Sequence, residues 1–234
     1  MAREPLLLQY YQLLPGPRAD GRPIEGTREF RKGLTRFKRA VQARYNESTL
    51  QRLLRWDIAE VRQAAVLALG LVGTMKVNTN LAGCLHDDDG TVRRLASDAL
   101  WSLWFRADTP QNNAELQRII LMRPEDVGAE IIFAAFAKLL RTAPRFAEVY
   151  NQRGILHFRC GQHSRAVADC DRALRLNPCH FGAASGLGQC FMKQKKFRAA
   201  LRGFRRALRI NPNLDGVRET IASIERLLGE EGKR

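Results

Sequence analysis

The chain repeats itself, and the spacing of the repeat constrains its fold more than any other feature. From residue 147 onward the offset is 34: Gly154 recurs as Gly188, Ala166 as Ala200, Ala173 as Ala207, and Asn177-Pro178 as Asn211-Pro212. A fixed period of a few tens of residues marks units that bury their apolar faces only against neighbours. Between these points the apolar residues fall at helical spacing. This predicts first helices over 147–160 and 181–194 and second helices over 163–176 and 197–210. Each unit is therefore expected to be a helical hairpin. Gly on the first helix and two Ala on the second let the backbones approach to about 8 Å. Pro178 and Pro212 end the second helices, because proline lacks an N–H and restricts the Asn before it.

A second period, of 31, lies upstream. Leu50 recurs as Leu81, Leu54 as Leu85, Asp57 as Asp88, Val61-Arg62 as Val92-Arg93, Ala65 as Ala96, and Ala68-Leu69 as Ala99-Leu100. Each unit reads as a short apolar helix, an acidic turn, and a longer helix opening near the Val-Arg pair. The acids suit that turn, since Asp88 or Asp89 can cap the exposed N–H groups of the following helix.

The downstream period resembles the tetratricopeptide repeat. In the second unit Leu187-Gly188, Phe191, Ala200, Phe204, Ala207 and Pro212 carry the likeness; in the first, Tyr150, Gly154, Ala166, Ala173 and Pro178 do. Arg153, His157 and Cys170 stand where the pattern has Leu and two aromatics, so the first unit is expected to pack loosely or to pack these residues against something before it. The upstream period resembles the HEAT repeat in the short form also found in phycobilin-lyase-like proteins, on Ala64 to Gly70 and Leu85 to Arg93. Together the resemblances imply an all-α, right-handed α-solenoid of antiparallel helix hairpins.

The division that follows is an irregular arm over 1–27, a basic amphipathic capping helix over 28–47, and two HEAT-like repeats over 48–106. Linking helices with a degenerate repeat occupy 107–146, two tetratricopeptide repeats 147–214, and a capping helix and tail 215–234. The degenerate unit is read from Pro144, 34 before Pro178, and Phe136, 34 before Cys170.

No stretch approaches the roughly 18 consecutive apolar residues of a membrane helix, and Leu6 to Leu8 falls far short of a secretory core. Five cysteines with no C-x-x-C pair fit a reduced, cytoplasmic setting. The four histidines show no metal-ligand spacing, and no phosphate loop precedes a helix. No catalytic residue, metal or cofactor is expected. Asp87 to Gly90 lacks the glutamate that closes a calcium loop, which leaves capping as its role. Trp101, Trp104 and Phe105 are expected to fill a joint between helices.

The resemblance places the concave groove of the tetratricopeptide array at Asn151, Ile155, Phe158, Arg159, Ser185, Gln189, Met192 and Lys193. The Lys and Asn with which some family members clamp a terminal carboxylate are not reproduced there. Charge gives a second candidate surface. Of the formal +15, residues 144–214 supply +11, with 14 Lys and Arg against 3 Asp and Glu. Arg198, Arg202, Arg205, Arg206 and Arg209 fall mostly on the convex side of the last second helix, and Lys193, Lys195 and Lys196 extend the patch. An acidic protein partner, a merely solvated face and a nucleic-acid backbone are all compatible with it. The leading expectation is a non-enzymatic adaptor binding a partner peptide or helix through the concave face and a basic convex face. The alternatives are a nucleic-acid-associated basic scaffold, a lyase-like HEAT protein or non-catalytic subunit, and a repeat pair that serves only as a folding unit.

Overall fold

The computed structural model describes residues 5–15 and 27–231, and every regular element among them is helical. Two compact units divide the chain, 1–103 and 104–234.

In the first unit, α1 (Leu6–Gln12) buries Leu7 and Leu8 and packs on α2 (Arg28–Arg44) and α4 (Ala59–Val72). A helix here departs from the irregular arm expected over 1–27. Seven residues are too few to show a period, and burial of the Leu pair fixes what propensity alone leaves open. The rest of that arm, 1–4 and 16–26, lies outside the described residues. Thr27 caps α2 by accepting from the Phe30 N–H at 3.1 Å, and Phe37 and Val41 turn its apolar stripe inward. Its arginines and lysines remain exposed, as the amphipathic pattern requires.

The 31-residue period is visible as recurring bonds. Helix α3 (Glu47–Leu53) leads by a turn into α4; α5 (Asn78–Gly83), flanked by single 3₁₀ turns, leads into α6 (Gly90–Trp104). Arg62 Nη1 donates to the carbonyls of Trp56 and Asp57, and Arg93 Nη1 donates to those of Asp87 and Asp88. Each arginine thus closes its own turn by the same two bonds, one period apart. Arg62 also forks onto Asp87 of the next unit through two bonds of 2.8 Å, stitching unit to unit. Asp89 supplies the expected cap, its Oδ1 accepting from the Val92 N–H at 2.8 Å. Its counterpart, Ile58, has no capping side chain.

The second unit stacks hairpins. Helices α7 (Pro110–Ile120), α8 (Pro124–Val127) and α9 (Ala129–Thr142) precede the 34-residue repeats, where the sequence predicts two helices over 107–146. The first repeat is α10 (Ala147–Arg159) with α11 (His163–Leu176), the second α12 (Phe181–Lys193) with α13 (Phe197–Ile210), and α14 (Val217–Glu231) packs on α13. Helices α9, α11 and α13 begin at 129, 163 and 197 and end at 142, 176 and 210, in a common 34-residue register. Their last turns close alike: the N–H of Ala143, Asn177 and Asn211 each reaches back to Leu139, Ala173 and Ala207 at 2.8 Å. The two Asn are buried, and each Oδ1 accepts the N–H two residues on, at 3.2 and 3.0 Å, forming the same turn beside its proline.

Close helix contact needs the small residues. A Cβ on Gly188 would lie 2.6 Å from the Phe204 ring, and one on Gly203 would lie 2.7 Å from Gly188 N. The α10–α11 turn passes through Gly161 at φ 73°, and the α12–α13 turn through Lys195 at φ 57°, one period later. The turn geometry is retained there against the cost that a side chain adds in left-handed backbone.

A buried polar core and an apolar cleft on the first helices

Glu148 and His180 are both fully buried, one on α10 and the other capping α12. His180 Nδ1 accepts from the Ala183 N–H at 3.1 Å, so Nε2 carries the ring proton and donates to Glu148 Oε2 at 2.8 Å. Glu148 Oε1 accepts from Asn151 Nδ2 at 3.1 Å and Gln152 Nε2 at 2.7 Å. Trp104, 1% exposed, stacks on the His180 ring at 4.2 Å and meets Phe181 at 5.1 Å. Trp104 therefore fills a joint, as the sequence led one to expect. The core fixes α10 against α12 by hydrogen bonds that water does not reach.

The core corrects one groove assignment. Asn151, expected to line the concave face, is 2% exposed and spends its amide on Glu148. The signal that turns it inward lies in Trp104 and His180, outside the matched repeat positions. The remaining groove residues are at or near the surface. Ile155 is 45% exposed, the Arg159 side chain 61%, Gln189 and Lys193 are exposed, and Phe158, Ser185 and Met192 are half-buried.

Ile155 also borders a cleft that sequence reasoning missed. The end of α7 and the following turn contribute Ile120, Met122 and Pro124; Gln152 and Arg159 bring polar groups from α10. Leu121, Val127 and Ile131, from the same run of elements, are exposed apolar side chains. Helical spacing alone could not align α7 with α10, because α8 interrupts the 34-residue period between them.

The residues that depart from the repeat pattern find partners. Arg153 forks onto Asp169 at 2.8 and 2.6 Å, and His157 stacks on Phe133 of the preceding α9 at 4.3 Å. The first repeat thus packs an odd residue against the helix before it. Burial lowers the His157 pKa below its ordinary value, against the Gln162 hydrogen bond and the Asp169 charge. The folded value lies under the unfolded one, about 6.5, so the unfolded chain binds more protons in the window just below 6.5. The stability involved is complete above that pH and is lost as pH falls through the window. Urea midpoints measured from pH 7.5 to 5 should show this loss, and His157→Gln should flatten it. The further loss near pH 4 should persist in that variant, because the Val92 N–H holds Asp89 low and Arg118 holds Glu115 low.

Helix α13 buries Ala200, Leu201, Gly203, Phe204 and Ala207 and leaves Arg198, Arg202, Arg205 and Arg209 exposed, with Arg206 half-buried. Arg205 pairs with Glu225 of α14 at 2.6 Å. Lys193, Lys195 and Lys196 are exposed beside them. Among the cysteines, Cys84, Cys170 and Cys190 are buried, Cys179 is intermediate and Cys160 exposed. Burial pushes the Cys84 thiol up to about 11, which leaves it unreactive at neutral pH. Among the described residues no group of three or more His, Cys, Asp or Glu is placed to hold a metal ion, and no helix is long and apolar enough to cross a membrane.

The second unit is a stack of helix hairpins. Comparison with known families identifies the repeats: the tetratricopeptide repeat matches residues 147–178 and again 182–214. These segments are two tetratricopeptide repeats. Superkiller complex protein 3 of Mus musculus is 28% identical over 122 residues, which are 52% of this chain and 8% of that protein. Its counterpart in Homo sapiens is 34% identical over 79 residues, 34% of this chain and 5% of that protein. Protein SGT1 homolog of Bos taurus is 36% identical over 74 residues, 32% of this chain and 22% of that protein. The chain thus spans a small part of the length of these relatives. Among solved structures, the Sgt2 TPR domain from Aspergillus fumigatus superposes with a TM-score of 0.50 at 18% identity, over 55% of this chain and 85% of that one. That likeness shows the fold.

Proposed function

We propose that the chain is a non-enzymatic, cytoplasmic adaptor, in which a HEAT-like array precedes the tetratricopeptide array and a partner segment binds along α10 and α12. The observation that carries this reading is the small cleft beside Ile155, walled by Ile120, Met122, Phe136 and Leu156 with Gln152 and Arg159 among its lining. An apolar recess with one or two orienting polar groups is the form that receives a single anchoring side chain from a partner. Ser185, Gln189, Met192 and Lys193 continue the surface along α12. The exposed arginines of α13 form a separate basic face for an acidic partner.

Affinity capture from native extract tests both faces. Ile155→Asp should weaken the principal partner by about thirtyfold, the equivalent of a ~2 kcal/mol hot spot. Charge reversal at Arg202, Arg205 and Arg206 should remove acidic partners. An unchanged set of captured proteins in both variants would overturn the adaptor reading. The alternative of a nucleic-acid-associated scaffold predicts binding to heparin and to oligonucleotides that falls steeply between about 50 and 200 mM salt. The α13 face shows few exposed aromatics on which bases could stack, which favours protein over nucleic acid.

A further inference from the structure

The first unit holds a second cleft, independent of the tetratricopeptide groove. Along α3 and α5 two adjoining recesses share Gln51, Arg55 and Asn80, and Asn46, Thr49 and Arg52 extend one end. The lining is mostly hydroxyl, amide and guanidinium, with Leu54, Cys84 and the Asp87 carboxylate in the inner recess and no aromatic side chain in either.

Its two arginines, Arg52 and Arg55, are exposed and not ion-paired among the described residues; Arg52 makes a single side-chain bond, donating Nη2 to Thr49 Oγ1 at 3.3 Å. Two of the nearby acids are engaged by other partners. Glu47 is held by Thr74, whose N–H donates to Oε1 at 2.6 Å and whose hydroxyl donates to it at 3.0 Å. Asp87, at the inner end, is taken by the Arg62 fork and the Asp89 N–H. The cleft therefore offers two open guanidiniums, set three residues apart, beside amides that can both donate and accept.

From this arrangement we infer that the α3–α5 cleft binds a phosphorylated serine or threonine in an extended segment of a partner protein, with Arg52 and Arg55 holding the phosphate. A guanidinium fork matches a phosphate dianion. Gln51 and Asn80 lie along the cleft at positions suited to a peptide backbone, whose donors and acceptors alternate. The recess is open along one side, which suits a passing chain over an enclosed small molecule. The lack of aromatic side chains disfavours single-stranded nucleic acid.

The test uses the full chain and a fluorescein-labelled pool of seven-residue peptides, phosphoserine at the centre and Ala, Gly and Ser around it, read by fluorescence anisotropy at about 150 mM salt. Phosphorylation should strengthen binding by about tenfold, the effect of one charged hydrogen-bonded pair. Arg52→Gln with Arg55→Gln should abolish that gain at an unchanged melting temperature, since both residues are exposed. Arg202→Gln with Arg206→Gln, on the other basic surface, should leave it intact. Equal binding of the unphosphorylated pool would overturn the inference. So would retention of the gain in the Arg52 and Arg55 variant, or an equal loss in the α13 variant. Displacement of the phosphopeptide by equimolar inorganic phosphate would assign the cleft to the free anion, and tighter binding of a twelve-residue oligothymidylate would assign it to nucleic acid. Either result overturns the peptide assignment.

Discussion

Glu148→Ala should destabilise the second unit by about 3–5 kcal/mol, because it takes the shared acceptor away from three donors at the α10–α12 contact. Truncation leaves the His180 Nε2–H and the amides of Asn151 and Gln152 facing a space without an acceptor. The His180 and Asn151 donors cannot turn to water without opening the contact between α10 and α12, whereas Gln152 is only half-buried. His180→Ala should cost a comparable amount for a different set of reasons. It removes the α12 cap on the Ala183 N–H and the ring that Trp104 covers, and it leaves one Glu148 oxygen unbonded. Urea unfolding followed by circular dichroism measures both changes. Glu148→Gln separates shape from charge: it keeps the volume and one acceptor oxygen, so it should lose less than Glu148→Ala. A loss below about 1 kcal/mol for Glu148→Ala would mean that the buried network is not formed in solution.

Gly203→Val is expected to cost about 3 kcal/mol, toward the upper end for overpacking. The added Cβ would lie 2.7 Å from Gly188 N, 3.0 Å from Gly188 Cα and 3.3 Å from the Leu187 carbonyl carbon. Each of these atoms belongs to the backbone of α12, so no rotamer change relieves the contact and the two helices must separate. Gly229→Ala in α14 is the control, since a Cβ there meets nothing within 4 Å. It should leave stability unchanged or raise it by about 0.5–1 kcal/mol through reduced chain entropy. Equal effects of the two substitutions would show that α12 and α13 do not approach as closely as described.

The repeats were legible because their spacing is enforced by size. Gly154, Gly188, Ala166 and Ala200 sit where paired helices pack closely, with least room at Gly188, so identity recurs with geometry. The α9 helix shares that register but was only partly visible in the sequence. Ile132 and Leu139 occupy the positions held by Ala166 and Ala173 in α11 and by Ala200 and Ala207 in α13, which erases the small-residue pattern. What survived was the proline after the helix and the buried Phe136. Asn151 was misread for a related reason. Its position in the repeat usually faces outward, but its environment is set by His180 and Trp104, from a neighbouring turn and from upstream of the repeats. The cleft at Ile155 escaped notice because Ile120, Met122 and Pro124 come from a segment whose spacing α8 breaks. The Arg52 and Arg55 cleft had no motif to announce it, only two exposed arginines without an ion pair.

The differing side-chain sizes along α9, α11 and α13 have a consequence for how the stack assembles. Three helices of equal length and phase could otherwise trade places, and slipped or exchanged pairings are the characteristic failure of repeat chains during folding. Ile132 and Leu139 cannot enter the tight interfaces that Ala166 and Ala173 occupy, and the alanines would leave voids in the wider one. Bulk at these two positions acts as an address for α9, which cannot take the place of α11 or α13.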